Sequence, residues 1–299
     1  MTLSFAVRDV VRLEVVKPPE LESFFLLSPF VLPSNGGYQM LLRAVNPSDD
    51  PTKKVARIHV AASGPDGLRF TVSPKPSISP GPSDDDRDGC EDPTVAVERD
   101  GWHVYYTGWN QSLHRGEMLY AAGDGPSSLR KRGVALRSGD PFENPKEATI
   151  VRGDDGLWNL IFEYAADGAS QIGIATSPSV AGPWTVVRGK VLDQRPESWD
   201  DWHLSPGPAV RIGNQQVLFY NGATSDPKWR IGWATFDGCY QRTMARCEEP
   251  LIVPSPPKGD ETDIAFAAST VPCDGGLWLY YSVSDQHLCR ATITWEERA

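Results

Sequence analysis

The chain has 299 residues, enough for one large folded unit with a substantial core. Its formal net charge of −10 argues against a nucleic-acid partner, because phosphate binding needs a basic face. No apolar run approaches the roughly 20 residues of a membrane span, and 27 Gly with 26 Pro scattered through the sequence suit many short strands and turns rather than disorder.

The N-terminal stretch MTLSFAVRDVVRLEVV lacks the basic start, long apolar run and cleavage site of a signal peptide, so a cytoplasmic location is expected. Residues 1 to about 23 predict an outer strand or arm, and RDVVRLEVV has the composition of a strand that completes the last unit of a closed ring.

A pattern then repeats five times: SPFVLPSNGGYQMLLRAV from Ser28, EDPTVAVERDGWHVYYTGW from Glu91, KEATIVRGDDGLWNLIFEYA from Lys146, SPGPAVRIGNQQVLFYNGA from Ser205 and FAASTVPCDGGLWLYYSVS from Phe266. Each copy runs as a small or polar opening, a short strand, a turn with Gly or Asn, and an aromatic-rich strand. A third strand follows, in VARIHVAAS, EMLYAAG, QIGIATS, WRIGWATF and HLCRATI. An interval of roughly 60 residues fits a four-stranded propeller blade and not a helical solenoid. The expected architecture is therefore an all-β, five-bladed β-propeller forming one domain over residues 1–299. Its blades are placed at about 24–75, 90–137, 145–190, 203–250 and 263–296. No helical periodicity persists beyond two turns. The acidic or Pro-rich stretches at 76–90, 138–145, 191–204 and 254–264 all precede a blade opening, so they should rim one face, where a rigid scaffold presents function.

Within the second opening, GCEDPTV (residues 89–95) carries the sharpest local signal. Proline fixes its own φ and restricts the residue before it, so Asp92 is held rigidly at the mouth of a funnel, as general acid catalysis requires. The five cysteines, Cys90, Cys239, Cys247, Cys273 and Cys289, include no CxxC pair and read as free thiols rather than a zinc site, the alternative being a Cys239–Cys247 pair across a hairpin in an oxidising medium. Asp84, Asp85 and Asp86 read as a solvated loop, with calcium the alternative. Trp102, Trp158, Trp233 and Trp278 fall inside strand patterns and read as core. Trp109, Trp199 and Trp202 fall at or beyond strand ends, where flat rings are free to stack on a ligand; Asp201 and His203 share the loop of the last two.

The ordered set of LLRAV with SGPDGLRF, GCEDPTVAVERDGWHVYYTG, NPKEATIVRGDDGLW, SPGPAVRIGNQQVLFYNGA and LYYSVSDQHLCRAT resembles glycoside hydrolase family 130, five-bladed propellers that act on β-mannosides. The resemblance implies that Asp92 protonates the glycosidic oxygen and that Arg43 and Asp285 contact the sugar beside the cleaved bond. Most of that family are phosphorylases that hold inorganic phosphate with Arg, Lys and His. Here the usual Arg after Glu-Asp-Pro is Thr94, the Arg opening the third strand of blade two is Glu117, and Leu-His-Arg reads Phe162-Glu163-Tyr164. The family's His-Lys-Asp reads Pro145-Lys146-Glu147, so only Lys146 keeps its charge, and a Tyr-His pair reads Tyr220-Asn221. A phosphate dianion needs several donors and positive charge. Some members of the resembled family are hydrolases that carry Glu where the others bind phosphate. An inverting glycosidase needs a second carboxylate to activate water; Glu163 is the first choice, Glu147 the second, and Glu117 a third candidate that could instead bind sugar.

The expected activity is thus an inverting glycoside hydrolase acting on β-mannosides or a related glycoside, with an oligosaccharide or glycoside as its partner and no cofactor or metal. Arg43, Glu117, Lys146, Asp285, Trp109, Trp202 and His203 are the expected substrate contacts. A phosphorylase with a rearranged phosphate site (Lys146, Arg115, His114 or His203) and a non-catalytic carbohydrate-binding propeller are the alternatives. Whether the chain forms a homo-oligomer is left open by the sequence.

Overall fold

The computed structural model describes residues 2–259 and 261–298. Strand β1 (Thr2–Arg12) and a short β2 (Glu14–Val16) lead into a first unit of β3 (Phe25–Ser34), β4 (Gly37–Val45), β5 (Ala56–Ser63) and β6 (Arg69–Ile78). The second unit is β7 (Gly89–Glu98), β8 (Gly101–Asn110), β9 (Arg115–Gly123) and β10 (Arg130–Leu136). The third is β11 (Glu143–Arg152), β12 (Trp158–Ala166), β13 (Ala169–Ser177) and β14 (Thr185–Arg188). The fourth is β15 (His203–Ile212), β16 (Gln215–Ala223), β17 (Arg230–Phe236) and β18 (Thr243–Arg246). The last is β19 (Ala265–Cys273), β20 (Gly276–Val283) and β21 (His287–Arg298), with β1 pairing antiparallel to β21 as the outer strand. Among the described residues the helical elements are three single turns of 3₁₀ helix.

Every unit is an antiparallel meander, as short alternating strands joined by Gly-containing turns dictate. The first and second units merge into one larger sheet through a parallel pairing of Ala56 with Gly89. The units close cyclically: β3 contacts β7, β7 contacts β11, β11 contacts β15, β15 contacts β19, and β19 contacts β3.

Five apolar clusters lie between neighbouring sheets in the same cyclic order. Leu41, Ile58, Cys90 and Tyr106 join units one and two. Tyr105, Met118, Leu160 and Phe162 join two and three. Ile161, Leu204, Leu218 and Tyr220 join three and four. Phe219, Ile231, Leu279 and Ile293 join four and five, and Met40, Phe70, Val271 and Tyr280 join one and five. Burying such a side chain stabilises by about 1.5–3 kcal/mol, so the ring is held by face-to-face packing and not by one central core. Trp102 is buried in this layer, Trp233 packs against it, and Trp278 lies under the Arg290 guanidinium, 4.0 Å from its ring centroid.

Two buried aspartates tie the loops ahead of the second and fourth units to their sheets. Asp86 accepts from Tyr106 Oη at 2.9 Å and pairs with Lys131. Asp200 accepts from Tyr220 Oη at 2.7 Å and pairs with Arg195 and Arg246. The Asp84-Asp85-Asp86 run is therefore not a solvated loop throughout: Asp86 is fully buried, and Asp85 pairs with Arg137. Among the described residues no group of three or more His, Cys, Asp or Glu is disposed to hold a metal ion, and no helix is long and apolar enough to cross a membrane.

Candidate active site

The five first strands share one irregularity. Each loses register with its neighbour near its start: between Leu27 and Phe30, Glu91 and Thr94, Lys146 and Thr149, Pro206 and Ala209, and Ala267 and Ser269. Such β-bulges bend the strand and re-aim side chains. At the first three the residue in the bulge takes a left-handed backbone, with φ of 50° at Ser28, 49° at Asp92 and 46° at Glu147. That conformation is unfavourable for residues with a Cβ and often marks a site where geometry serves function. The bulges meet at a narrow floor lined by Ser28, Asp92, Glu147, Gly207 and Ala268. Above it opens a cavity of about 190 Å³ lined by Ser28, Arg43, Asp92, Lys146, Glu147, Glu163, Trp229, Phe266 and Asp285, among others.

Asp92 is 6% exposed. Its Oδ1 accepts from Ser28 Oγ at 2.5 Å and lies 3.4 Å from Arg43 Nη1. Arg43 also binds Glu91 at 2.9 Å. Burial opposes the Arg43 charge, but Glu91, Asp92, Glu147 and Asp285 outweigh it and raise the guanidinium further above its ordinary value.

Glu163 is 2% exposed and sits opposite Lys146 in the β11–β12 ladder. Its Oε1 accepts from Ser170 Oγ at 2.6 Å and pairs with Lys146 Nζ at 3.1 Å. Glu163 raises the Lys146 pKa against the opposing effect of burial. Both fixed contacts fall on one oxygen, so Oε2 remains for water or substrate.

Glu147 packs directly against Asp92, with the two carboxyl groups in hydrogen-bonding contact. Its backbone N–H donates to Thr107 Oγ1 at 3.3 Å. Burial first, then Asp92 and Glu163, push its pKa well above the ordinary 4.5. Burial likewise raises Asp285, whose Oδ2 accepts from Thr262 Oγ1 at 3.4 Å, and Glu91, which neighbours Asp92.

The structure thus brings together Asp92, Glu147, Glu163, Arg43, Lys146 and Asp285. The other expected contacts lie elsewhere. Glu117 pairs across β8 with Gly108, so strand alternation turns it to the face opposite Thr107. There it accepts from the Ser138 N–H at 2.6 Å and pairs with Arg115 at 2.9 Å and Arg137 at 3.5 Å. Trp109 lies two residues beyond Thr107, roughly 7 Å further along the strand, and its indole N–H binds Gln111. Trp202 is 42% exposed and donates to the Gly168 carbonyl. Trp199 stacks on Tyr220 with centroids 5.4 Å apart and donates to Glu248. Thr94 is buried within β7 and does not line the cavity.

His203 stands behind the wall: it stacks on Trp229 at 5.6 Å and its Nδ1 accepts from the Ser170 N–H at 3.1 Å. Burial lowers its pKa below 6.5, opposed by Glu163 and aided by Lys146. Sequence reasoning missed Trp229, Phe266 and Ser28. Trp229 precedes the third strand of its unit, where the repeat directs no attention, and its signal was an aromatic at the same end as the openings. Ser28 occupies the repeat position of Asp92 and was legible as such.

A family model described as beta-1,4-mannooligosaccharide phosphorylase matches residues 48–298. No curated protein matches the sequence. Among solved structures, a β-1,2-mannobiose phosphorylase from Listeria innocua, in complex with β-1,2-mannobiose, is 18% identical with a TM-score of 0.77, covering 95% of this chain and 96% of its own. A putative glycosidase from Bacteroides thetaiotaomicron is 22% identical with a TM-score of 0.77, over 91% of this chain and 87% of its own. A third is described by the finding that family 130 of mannoside phosphorylases contains glycoside hydrolases that target β-1,2-mannosidic linkages in Candida mannan. It is 21% identical with a TM-score of 0.76, over 91% and 84%. These likenesses agree with the all-β ring in fold, and the family match spans most of the sequence: the chain belongs to glycoside hydrolase family 130.

Proposed function

We propose that the ring is a five-bladed β-propeller and that the protein is an inverting glycoside hydrolase acting on β-mannosides or a related glycoside. Asp92 protonates the glycosidic oxygen, its Oδ1 being held by Ser28 and Arg43. Glu163 deprotonates the water that attacks the anomeric carbon from the opposite face. Arg43 and Asp285 hold sugar hydroxyls, and Trp229 with Phe266 supplies the apolar wall.

One observation carries hydrolysis over phosphorolysis. Five carboxyl groups, from Glu91, Asp92, Glu147, Glu163 and Asp285, face two cations, Arg43 and Lys146, and both cations are already paired. Two like charges 4 Å apart repel by about 4 kcal/mol at an effective dielectric of 20, so a phosphate dianion here meets net repulsion whereas neutral water does not. The phosphorylase reading draws on Lys146, which lies beside the water-activating carboxylate. Product analysis on manno-oligosaccharides and aryl glycosides, with and without inorganic phosphate, separates the two. Free sugar at a rate independent of phosphate is expected; sugar 1-phosphate that depends on added phosphate would defeat the hydrolase reading.

A further inference from the structure

We propose that Glu147 is not a second candidate base but the proton-holding partner of Asp92, the two carboxyls sharing one proton that Asp92 delivers to the leaving group. This rests on the reading of Asp92 as the acid. The placement is unusual. Two neighbouring first strands, β7 and β11, each put a carboxylate at the same left-handed bulge position, and the two side chains meet over the floor of the cavity. Two carboxylates in hydrogen-bonding contact repel strongly when both are ionised, so the resting pair keeps one proton between them. An inverting base must instead stand about 6.5–9.5 Å from the acid to leave room for water. Glu147 stands too close, which removes it from that role and leaves it to Glu163.

The groups facing Glu147 fix where the shared proton rests. Asp92 on β7 and Glu163 on β12 disfavour its charge, Lys146 on its own strand favours it, and Arg43 on β4 lies close enough to feel it. At rest Glu147 therefore holds the proton and donates to Asp92. In the reaction that proton passes from Glu147 to Asp92 and on to the glycosidic oxygen as the C–O bond breaks, its electron pair staying with the leaving oxygen. Water adds to the anomeric carbon, and its proton goes to Glu163. A negative charge thus moves from Glu163 to Glu147 past Lys146, which interacts with both and with Asp92; the net charge of the cavity is the same before and after, and the doubly ionised pair is the repulsive state that draws a proton back. Exchange with solvent then returns the proton from Glu163 to the pair.

Two measurements test this. The first needs no substrate: carboxyl ¹³C NMR titration of protein labelled in Asp and Glu, with Glu147 assigned by its loss in Glu147→Gln. Glu147 should titrate well above ordinary carboxylates and move down in Asp92→Asn, where the neighbouring charge is gone. An ordinary titration, or no response to Asp92→Asn, overturns the shared proton. The second uses kinetics. Glu147→Gln should lose at least tenfold in kcat/KM on a glycoside with a poor leaving group, with the alkaline limb of its pH profile moved to lower pH. Its loss should be much smaller on a dinitrophenyl glycoside, which needs no acid. Equal loss on both substrates, or rescue by azide, would make Glu147 a base and overturn the proposal. Wild type that releases no free sugar without phosphate defeats the hydrolase reading while leaving the NMR result standing.

Discussion

The openings of the second and third units and those of the fourth and fifth share one backbone device and use it for different ends. All four first strands bulge at the same point of the repeat. In units two and three the bulge carries Asp92 and Glu147, in a left-handed conformation that costs about 1–2 kcal/mol for a residue with a Cβ. In unit four it carries Gly207, where a Cβ would lie 2.3 Å from the Phe219 carbonyl oxygen and 3.0 Å from Ala267 Cβ. In unit five it carries Ala267 and Ala268, beside the apolar Phe266. Fivefold repetition supplies five equivalent aiming points; the sequence arms those on one side of the funnel with carboxylates and closes the other with small and apolar residues. In the proposed reading the sugar meets a reactive wall and a packing wall, and the left-handed backbone is kept at the three polar bulge residues, Ser28, Asp92 and Glu147, that meet at the reactive wall.

The largest expected effect comes from disarming the reactive wall. Asp92→Asn keeps the bulge and the Ser28 contact but removes the proton donor. Turnover on an unactivated glycoside should fall about 10²–10⁴-fold, the usual contribution of general acid catalysis, with the thermal midpoint nearly unchanged. Near-normal turnover would place the acid elsewhere and make the asymmetry between the two walls a matter of packing alone.

On the packing wall, Trp229→Ala is expected to raise KM on oligosaccharides by about tenfold, since losing an aromatic contact is worth on the order of 1 kcal/mol, while kcat changes less. A fall in kcat with unchanged KM would mean that Trp229 acts through His203 and the Ser170–Glu163 hydrogen bond instead of touching sugar. Gly207→Ala tests the same wall through stability. Its Cβ would meet a backbone carbonyl that cannot rotate away, so a loss of about 1–3 kcal/mol by urea denaturation is expected. An unchanged midpoint would show that the fourth opening has room for the side chain carried by the second and third.

Much of this was legible before any coordinates, and the reasons are local. Five copies of one strand pattern, each with its own turn signal, specify sheets of the same kind, and Pro93 marks Asp92 as a fixed acid. The register of the repeat put Lys146 and Glu147 at the third opening, and the family resemblance added Glu163. What a repeat does not carry is the face on which a residue beyond the bulge points. Glu117, one step out of phase with Thr107, turns away into an ion pair with Arg115 and Arg137. Trp202 and Trp109 sit on the rim at strand ends where no pattern fixes direction, and Asp86 hides in an acidic run because Tyr106 and Lys131 approach it from distant parts of the sequence. Trp229 was missed for the converse reason: it reaches the cavity from just ahead of the third strand of its unit, outside the repeat's opening.

The smallest effect is a dependence of stability on pH, and its sign follows from Glu147. Burial, with Asp92 and Glu163, raises its folded-state pKa well above the ordinary 4.5 that it regains on unfolding. Below pH 4.5 the group is protonated in both states and contributes no slope. Between 4.5 and the raised value the folded chain holds a proton that the unfolded chain has lost, so the free energy of unfolding decreases as pH rises. Above the raised value the loss is complete and levels off. Glu91 and Asp285, raised in the same direction, add slopes of the same sign in any variant that keeps them. Glu147→Gln removes only the part belonging to Glu147 and its repulsion with Asp92. Urea midpoints of the two proteins, measured at intervals from pH 5 to 8, should therefore separate in favour of the Gln variant as pH rises. A gap that stays constant over that range would mean Glu147 is ionised in the folded state from the outset, and the armed wall would then hold its two carboxylates apart by solvent rather than by a shared proton.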